Sequence, residues 1–310
     1  MKRVVILLNM GGPNSLDEVS VFLKNMFNDP CILGIKSKIL RSFVAWMITT
    51  SRKKASAEIY KALGGKSPIN DITDSLCKKA TNFSNTEFDF AMRYTPPFAK
   101  DQLAKYKSYD EIVLVPLYPH YSITTIHSSM LDAKEALKDF KGKVREISYF
   151  YDKREYNEIV LNLIKEKISA LSKDEIAKTS LILSAHSLPE KIITKGDPYK
   201  NHLEEHAKIL KELIIENGIN FKEVLLTYQS KLGPVKWVEP FTDITLKNLE
   251  SKRALLFPIA FCIDNSETDY ELSIEYKELA KGLNFEYFDV CKCPNDSDEF
   301  AKFLINLAGI

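Results

Sequence analysis

A chain of 310 residues can bury a large core and make roughly two domains, and its 45% hydrophobic share places it among soluble globular proteins, not disordered or fibrous ones. The formal net charge of +1 gives no bulk electrostatic case for nucleic-acid binding. Five cysteines scattered from Cys31 to Cys293 make no disulfide framework, so a reducing, cytoplasmic compartment is expected.

The first residues, Met1-Lys-Arg-Val-Val-Ile-Leu-Leu, imitate an export signal. Their apolar stretch is short, however, and runs into Asn9-Met-Gly-Gly-Pro13 without a small-residue cleavage site, so it reads as a first strand. No window of ~18 apolar residues offers a membrane span. Apolar runs predict strands at 3–10, 88–93, 112–117 and 144–149, then at 180–185, 224–227, 254–259 and 285–290. Helical patterns separate them, beginning with one capped by Ser15 that carries Leu16, Val19, Phe22, Leu23 and Phe27. A last helix covers 296–307. Strands alternating with helices mean βαβ units, parallel sheets and right-handed crossovers. The expected fold is α/β, with two doubly wound halves, residues 1–150 and 151–310.

Two stretches break the alternation. From Cys31 to Ile48, Ile32, Ile35, Ile39, Phe43 and Trp46 form a helical stripe flanked by Lys36, Lys38, Arg41, Arg52, Lys53 and Lys54. Such a stripe is either core or, beside so many cations, a lip lying on a membrane surface. Gly64-Gly-Lys-Ser-Pro68 imitates a phosphate loop, but Tyr60 occupies the first glycine's position and a helix precedes it. No nucleotide site is expected there.

The chemistry concentrates at two strand ends. In Leu181-Ile-Leu-Ser-Ala-His-Ser-Leu-Pro-Glu190 the apolar run stops at His186, and Pro189 prevents further pairing. Residues just past a strand's carboxyl end line the ligand crevice of an open α/β sheet. Past the strand at 254–259, Glu267, Glu271 and Glu275 recur every four residues and make one helical ridge, with Asp264 or Ser266 as the cap. The ridge is a solvated acidic face or a path for a divalent cation or protons leading to His186. Leu272, Tyr276 and Leu279 form the apolar face beneath it. His202-Leu-Glu-Glu-His206 matches the inverted zinc-peptidase pattern, although no third ligand can be identified and a surface helix is the simpler reading. His120 and His127 follow another strand end, where they line the crevice or cap a helix.

Taken together these segments resemble the ferrochelatases, which insert ferrous iron into porphyrin in the last step of haem synthesis. The resemblance rests on Leu7-Leu-Asn-Met-Gly-Gly-Pro13, Leu63-Gly-Gly-Lys-Ser-Pro-Ile69, Arg93-Tyr94, Tyr118-Pro-His-Tyr-Ser122, Ser184-Ala-His-Ser-Leu-Pro189, Gln229-Ser-Lys-Leu-Gly-Pro234, and Pro258-Ile-Ala-Phe261 with Glu267. It implies two Rossmann-like halves with porphyrin in the cleft between them, and His186 and Glu267 facing each other across the macrocycle as catalytic and metal-binding residues. It also implies that Met10, Arg93, Tyr94, Ser122 and Trp237 line the porphyrin pocket. Two departures matter. Asn265 replaces a histidine of many members, whose role cannot transfer. Relatives with a [2Fe–2S] cluster have a cysteine where this chain has Ile123, and only Cys291-Lys-Cys293 remains near the end. A cluster needs four thiolates, so none is expected.

The residue types suit the reaction. Imidazole accepts a proton or binds a metal near neutral pH, and carboxylates hold a divalent ion yet release it more readily than thiolates. The site must also bend the macrocycle so that its nitrogen lone pairs leave the plane. The expected substrates are Fe²⁺ and protoporphyrin IX, with no permanently bound cofactor. A coproporphyrin ferrochelatase or cobalt chelatase of the same fold is the near alternative, and a non-catalytic porphyrin or haem carrier the alternative of another class. A peripheral contact of the stripe with the inner face of the membrane completes the expectation.

Overall fold

The computed structural model describes residues 2–310. One four-stranded sheet contains β1 (Arg3–Asn9), β2 (Glu87–Met92), β3 (Glu111–Pro116) and β4 (Lys143–Glu146), in the order β2-β1-β3-β4 and parallel throughout. The other contains β5 (Ser180–His186), β6 (Glu223–Gln229), β7 (Arg253–Phe257) and β8 (Tyr287–Val290), in the matching order β6-β5-β7-β8. Val4–Leu8, Ile112–Val115 and Leu181–Leu183 are buried throughout. Strands covered by helices on both faces read as unbroken apolar runs for this reason. The apparent export signal is β1.

The chain divides into two compact units, and their limits differ from the two expected halves. One contains the chain up to Tyr149 together with Asn295–Ile310, and the other is Phe150–Pro294. The end of the chain thus belongs to the first unit, because the helix Asp298–Leu307 packs on the helix Ile69–Ser84. Ser75 Oγ donates to Asp296 Oδ2 at 2.5 Å, and Lys79 Nζ donates to the Asp296 carbonyl at 2.6 Å and pairs with Asp298 at 3.3 Å. Arg145 donates to the carbonyl of Ala308. Phe300, Ala301, Phe303 and Leu304 bury the apolar face of that last helix.

In both sheets the first strand lies between its neighbours, so the connections diverge from β1 and from β5. The carboxyl ends of β1 and β3, and of β5 and β7, are therefore the switch-point edges where ligands bind in this architecture. In the first unit the turn after β1 is very tight. Gly11 has φ +81°, and a Cβ there would lie 2.3 Å from Thr95 Oγ1 and 2.8 Å from Met92 Cβ. The neighbouring Gly12 lets the segment containing Ser67 approach, and Ser67 donates its amide N–H to the Pro13 carbonyl at 2.8 Å. The phosphate-loop lookalike is thus a structural partner of the β1 turn, entered from the helix Lys38–Ala62. Gly11→Ala should cost about 1–3 kcal/mol, from the left-handed backbone and the displaced Thr95. Thermal unfolding checks this, and an unchanged Tm would show that the turn can relax.

Candidate active site

In the second unit β5 runs one residue beyond its apolar stretch, and His186 pairs with Gln229 of β6. The His186 ring is half-buried, with Nδ1 at 2.6 Å from the Ser187 carbonyl oxygen. A carbonyl only accepts, so Nδ1 carries the hydrogen and the lone pair of the neutral imidazole is on Nε2. Tyr199 donates its hydroxyl hydrogen to the His186 carbonyl at 3.0 Å, and Ser187 donates its amide N–H to the Gln229 carbonyl at 2.8 Å. The following residues pair with the segment that carries Trp237: Glu190 N–H donates to the Lys236 carbonyl and Val238 N–H to the Leu188 carbonyl. Trp237 is half-buried and donates its indole N–H to the Leu232 carbonyl at 2.9 Å.

β7 is the other neighbour of β5, and its continuation leads to Glu267 on the same edge of the sheet. Residues Glu267–Glu275 form a π-helix, continued by the α-helix Tyr276–Gly282. Ser266 does not cap it with its side chain. Asn265 does so, its Oδ1 accepting the amide N–H of Glu267 at 2.9 Å and that of Thr268 at 3.3 Å. The short amide that stands in the place of a histidine therefore has work of its own, the satisfaction of donors at a helix start. Asp264 instead accepts the Cys293 amide N–H and pairs with Lys292, which also holds Asp269 at 2.6 Å. Glu267 is half-buried and accepts the Ser266 hydroxyl at 2.9 Å.

The ridge of three glutamates divides into different environments. Glu271 Oε1 accepts the Ser230 amide N–H at 2.9 Å and the Tyr276 hydroxyl at 3.0 Å. Its Oε2 accepts the Ser230 hydroxyl and, at 3.5 Å, the Gln229 side-chain amide. Gln229 Oε1 in turn accepts the Ser184 hydroxyl at 2.6 Å. Glu271 thus ties the π-helix to the carboxyl ends of β6 and β5. Glu275 is exposed, and its carboxyl is raised above its ordinary value first by partial desolvation and then by the charges of Glu271 and Glu278.

The first unit gathers Met10, Arg93 and Tyr94. Pairing continues past β1 and β2, with Arg93 N–H donating to the Asn9 carbonyl and Tyr94 N–H to the Met10 carbonyl, at 2.9 and 3.0 Å. Arg93 pairs with Asp29 at 3.1 Å and Asp132 at 3.4 Å, and its Nε donates to Ser128 Oγ at 2.9 Å. The Tyr94 ring is buried, and its hydroxyl donates to Asp29 Oδ2 at 2.9 Å. Ser122 is wholly buried and accepts the Thr124 amide N–H at the start of a one-turn π-helix, Ile123–His127. His120 is buried too, and His127 has Nδ1 at 3.4 Å from the Tyr121 hydroxyl. Asp29, Ser128 and Asp132 were not singled out from the sequence. The only signal for Asp29 is its place before Pro30, a cap position.

The zinc-peptidase pattern is not a metal site. His206 is fully buried against the rings of Tyr151 and Tyr156, and burial lowers its pKa to about 3. His202 lies on Tyr151, whose hydroxyl donates to Glu205. Among the described residues, no three His, Cys, Asp or Glu side chains converge to cage a metal.

Two parallel sheets of matching order, with imidazole and carboxylate leaving the switch-point edge of one, define a two-unit chelatase fold. The sirohydrochlorin chelatase SirB of Bacillus subtilis subspecies spizizenii, solved with cobalt, has the same fold with a TM-score of 0.59 at 10% identity, over 100% of this chain and 94% of that one. Within that class, the family model described as Ferrochelatase matches residues 2–309. Curated ferrochelatases of Campylobacter concisus and Campylobacter fetus subsp. fetus are 54% and 52% identical to the chain, each over 98% of it and over 96% and 98% of their own lengths. The chain belongs to the ferrochelatase family.

The environments of Glu271 and Glu275 separate their variants. Glu271→Ala should lower stability by about 1–3 kcal/mol, since it leaves the Ser230 and Tyr276 donors unmatched, and should speed amide exchange over residues 229–238. Glu275→Ala should change neither. Unchanged exchange in Glu271→Ala would show that other contacts hold this segment.

Proposed function

We propose that the protein is a lyase that inserts Fe²⁺ into protoporphyrin IX to give protohaem, with His186 and Glu267 as its metal-side catalytic pair. Family membership over nearly the whole chain carries the reaction class. One observation supports the pair: both groups leave the switch-point edge of the second sheet, and the His186 lone pair is fixed on Nε2. In the reaction one Fe²⁺ enters and two pyrrole N–H protons leave, so total charge is conserved. His186 Nε2 takes a pyrrole proton or holds the incoming ion. Glu267 offers oxygen donors that bind Fe²⁺ loosely enough to pass it on. Of the two further glutamates, Glu275 is the better candidate for a metal or proton path, because both oxygens of Glu271 already have donors.

On the porphyrin side we assign Met10, Arg93, Tyr94, Ser122 and Trp237, with direct contact resting on Met10, Arg93 and Trp237. Tyr94 and Ser122 are buried and act by holding their neighbours. We also infer that no iron–sulfur cluster resides in the protein. Burial pushes the thiols of Cys77, Cys262, Cys291 and Cys293 upward, and burial followed by the Asp29 charge pushes Cys31 up to about 11. What supports the absence is the ligand count: a cluster needs four thiolates, and Ile123 stands where cluster-bearing relatives supply one.

Anaerobic assay with Fe²⁺ and each porphyrin in turn, followed by absorbance, tests the assignment. Protoporphyrin should turn over fastest, His186→Ala and Glu267→Gln should each lose about 10²–10⁴-fold in kcat, and acid-labile sulfide should be absent. Normal turnover in a well-folded His186→Ala protein would remove the pair from the mechanism.

The stripe is not one helix, since residues 34–37 separate the helix Pro30–Leu33 from the helix Lys38–Ala62, and Ile32 and Ile48 pack against the core; its middle is surface, which favours the lip reading. In the helix Lys38–Ala62, Ile39 is 86% and Trp46 62% exposed, with Leu40, Phe43 and Met47 beside them. Arg41 is not among the lipid-facing cations, since it donates to the Asn28 and Ile35 carbonyls at 2.8 and 2.7 Å. Lys36, Lys38, Arg52, Lys53 and Lys54 remain, each worth up to ~1 kcal/mol near anionic headgroups. No helix among the described residues is long and apolar enough to cross a membrane. We infer a cytoplasmic enzyme that touches the inner face of the membrane reversibly through this lip, which also borders the porphyrin site. Co-sedimentation with anionic vesicles should be salt-sensitive and weakened by Trp46→Ser, with stability changed by no more than about 0.5 kcal/mol. Absence of vesicle binding at low salt would leave the patch without a lipid partner.

A further inference from the structure

Asp29 is 2% exposed, yet its carboxylate accepts from four donors on three separate parts of the chain. Oδ2 accepts the Tyr94 hydroxyl at 2.9 Å and the Ser128 hydroxyl, and faces Arg93 Nη2 at 3.1 Å. Oδ1 accepts the Cys31 amide N–H at 2.7 Å, which makes Asp29 the cap of the short helix Pro30–Leu33 leading to the exposed lip. Ser128 closes the ring by accepting from Arg93 Nε at 2.9 Å. A guanidinium has five N–H donors in one plane. Here Nε, Nη1 and Nη2 are each directed at a fixed partner, with Asp132 taking the third, while 24% of the side chain stays open to solvent. Two N–H groups are left over, and their directions are set by the carboxylates behind them.

We propose that Asp29 is a positioning residue for porphyrin binding, which fixes the plane of Arg93 and joins it to the root of the lip helix. The proposal rests on the reading of Arg93 as a porphyrin contact. It differs from simple charge attraction in sign. Protoporphyrin is a dicarboxylate, so removing the negative charge of Asp29 should tighten binding if long-range electrostatics governed the site. If orientation governs it, the same change weakens binding, because the guanidinium loses its backing and turns.

The test is the affinity of metal-free protoporphyrin IX, read by quenching of tryptophan fluorescence, for the full chain and for Asp29→Asn, Arg93→Met and the double variant. Asp29→Asn should weaken binding by about tenfold, and the double variant should match Arg93→Met within about twofold, as expected when one residue acts through the other. Tighter or unchanged binding in Asp29→Asn, or effects that multiply in the double variant, would overturn the positioning role. Unchanged affinity in Arg93→Met would overturn the porphyrin contact itself, and the role of Asp29 with it. Ser128→Ala, which removes one bridge between Arg93 and Asp29 without adding bulk, gives the same reading in milder form should Asp29→Asn not fold, and unchanged affinity there would decide against the proposal.

Discussion

A strand covered on both faces and paired on both sides can present a side chain to a ligand only where its pairing stops. β1 and β5 are such strands, and the rest of each unit follows from where they end. Gly11 and Gly12 turn the chain sharply after β1, which lets Ser67 and Thr95 close over the turn and sets Met10 beside Arg93 and Tyr94. In the second unit the final pair of the β5–β6 ladder, His186 with Gln229, places the imidazole at the limit of backbone pairing. Its ring is then oriented by the next carbonyl rather than by a distant acid. An imidazole aligned by its own backbone keeps one tautomer without placing another charge nearby.

Charge is handled differently in the two units. Behind Arg93, Asp29 is buried and accepts from Cys31, Tyr94, Ser128 and Arg93. That arrangement is costly to break, since a lone buried ion loses its compensation. In the second unit, Glu271 is similarly saturated, whereas Glu267 and Glu275 keep oxygen atoms with few protein donors. Carboxylates meant to take and release an ion gain from being under-coordinated, and those that hold structure gain from saturation. The same residue type, four positions apart, stands in each environment.

Strand positions and the strand ends that lead to His186 and Glu267 were legible because they depend on local pattern: apolar runs, a proline after His186, and carboxylates opening a helix. What could not be read depends on distant partners. Glu271 at helical spacing looks like a solvated ridge, and the Ser230 that binds it lies 41 residues away. Asp29 meets Tyr94 and Ser128 across 65 and 99 residues, so sequence shows only a cap before a proline. The histidine pair of the helix Tyr199–Glu216 shows the reverse error, since spacing imitates a metal site while burial against tyrosine rings removes it. Asn265 counts as a missing histidine in the sequence, and only the structure gives it the helix cap.

The return of Asn295–Ile310 to the first unit makes Phe150–Pro294 an insertion within it. Order of synthesis and order of completion are then inverted. As the chain emerges, the second unit has all its strands before the first has its closing helix. Until then the helix Ile69–Ser84 is without the helix Asp298–Leu307 that packs on it. Domains generally fold as they are made, from the N-terminus, so the first unit is the one that must wait. Loss of a few residues at the far end of the chain would therefore be felt at its beginning, in the unit that carries Met10 and Arg93.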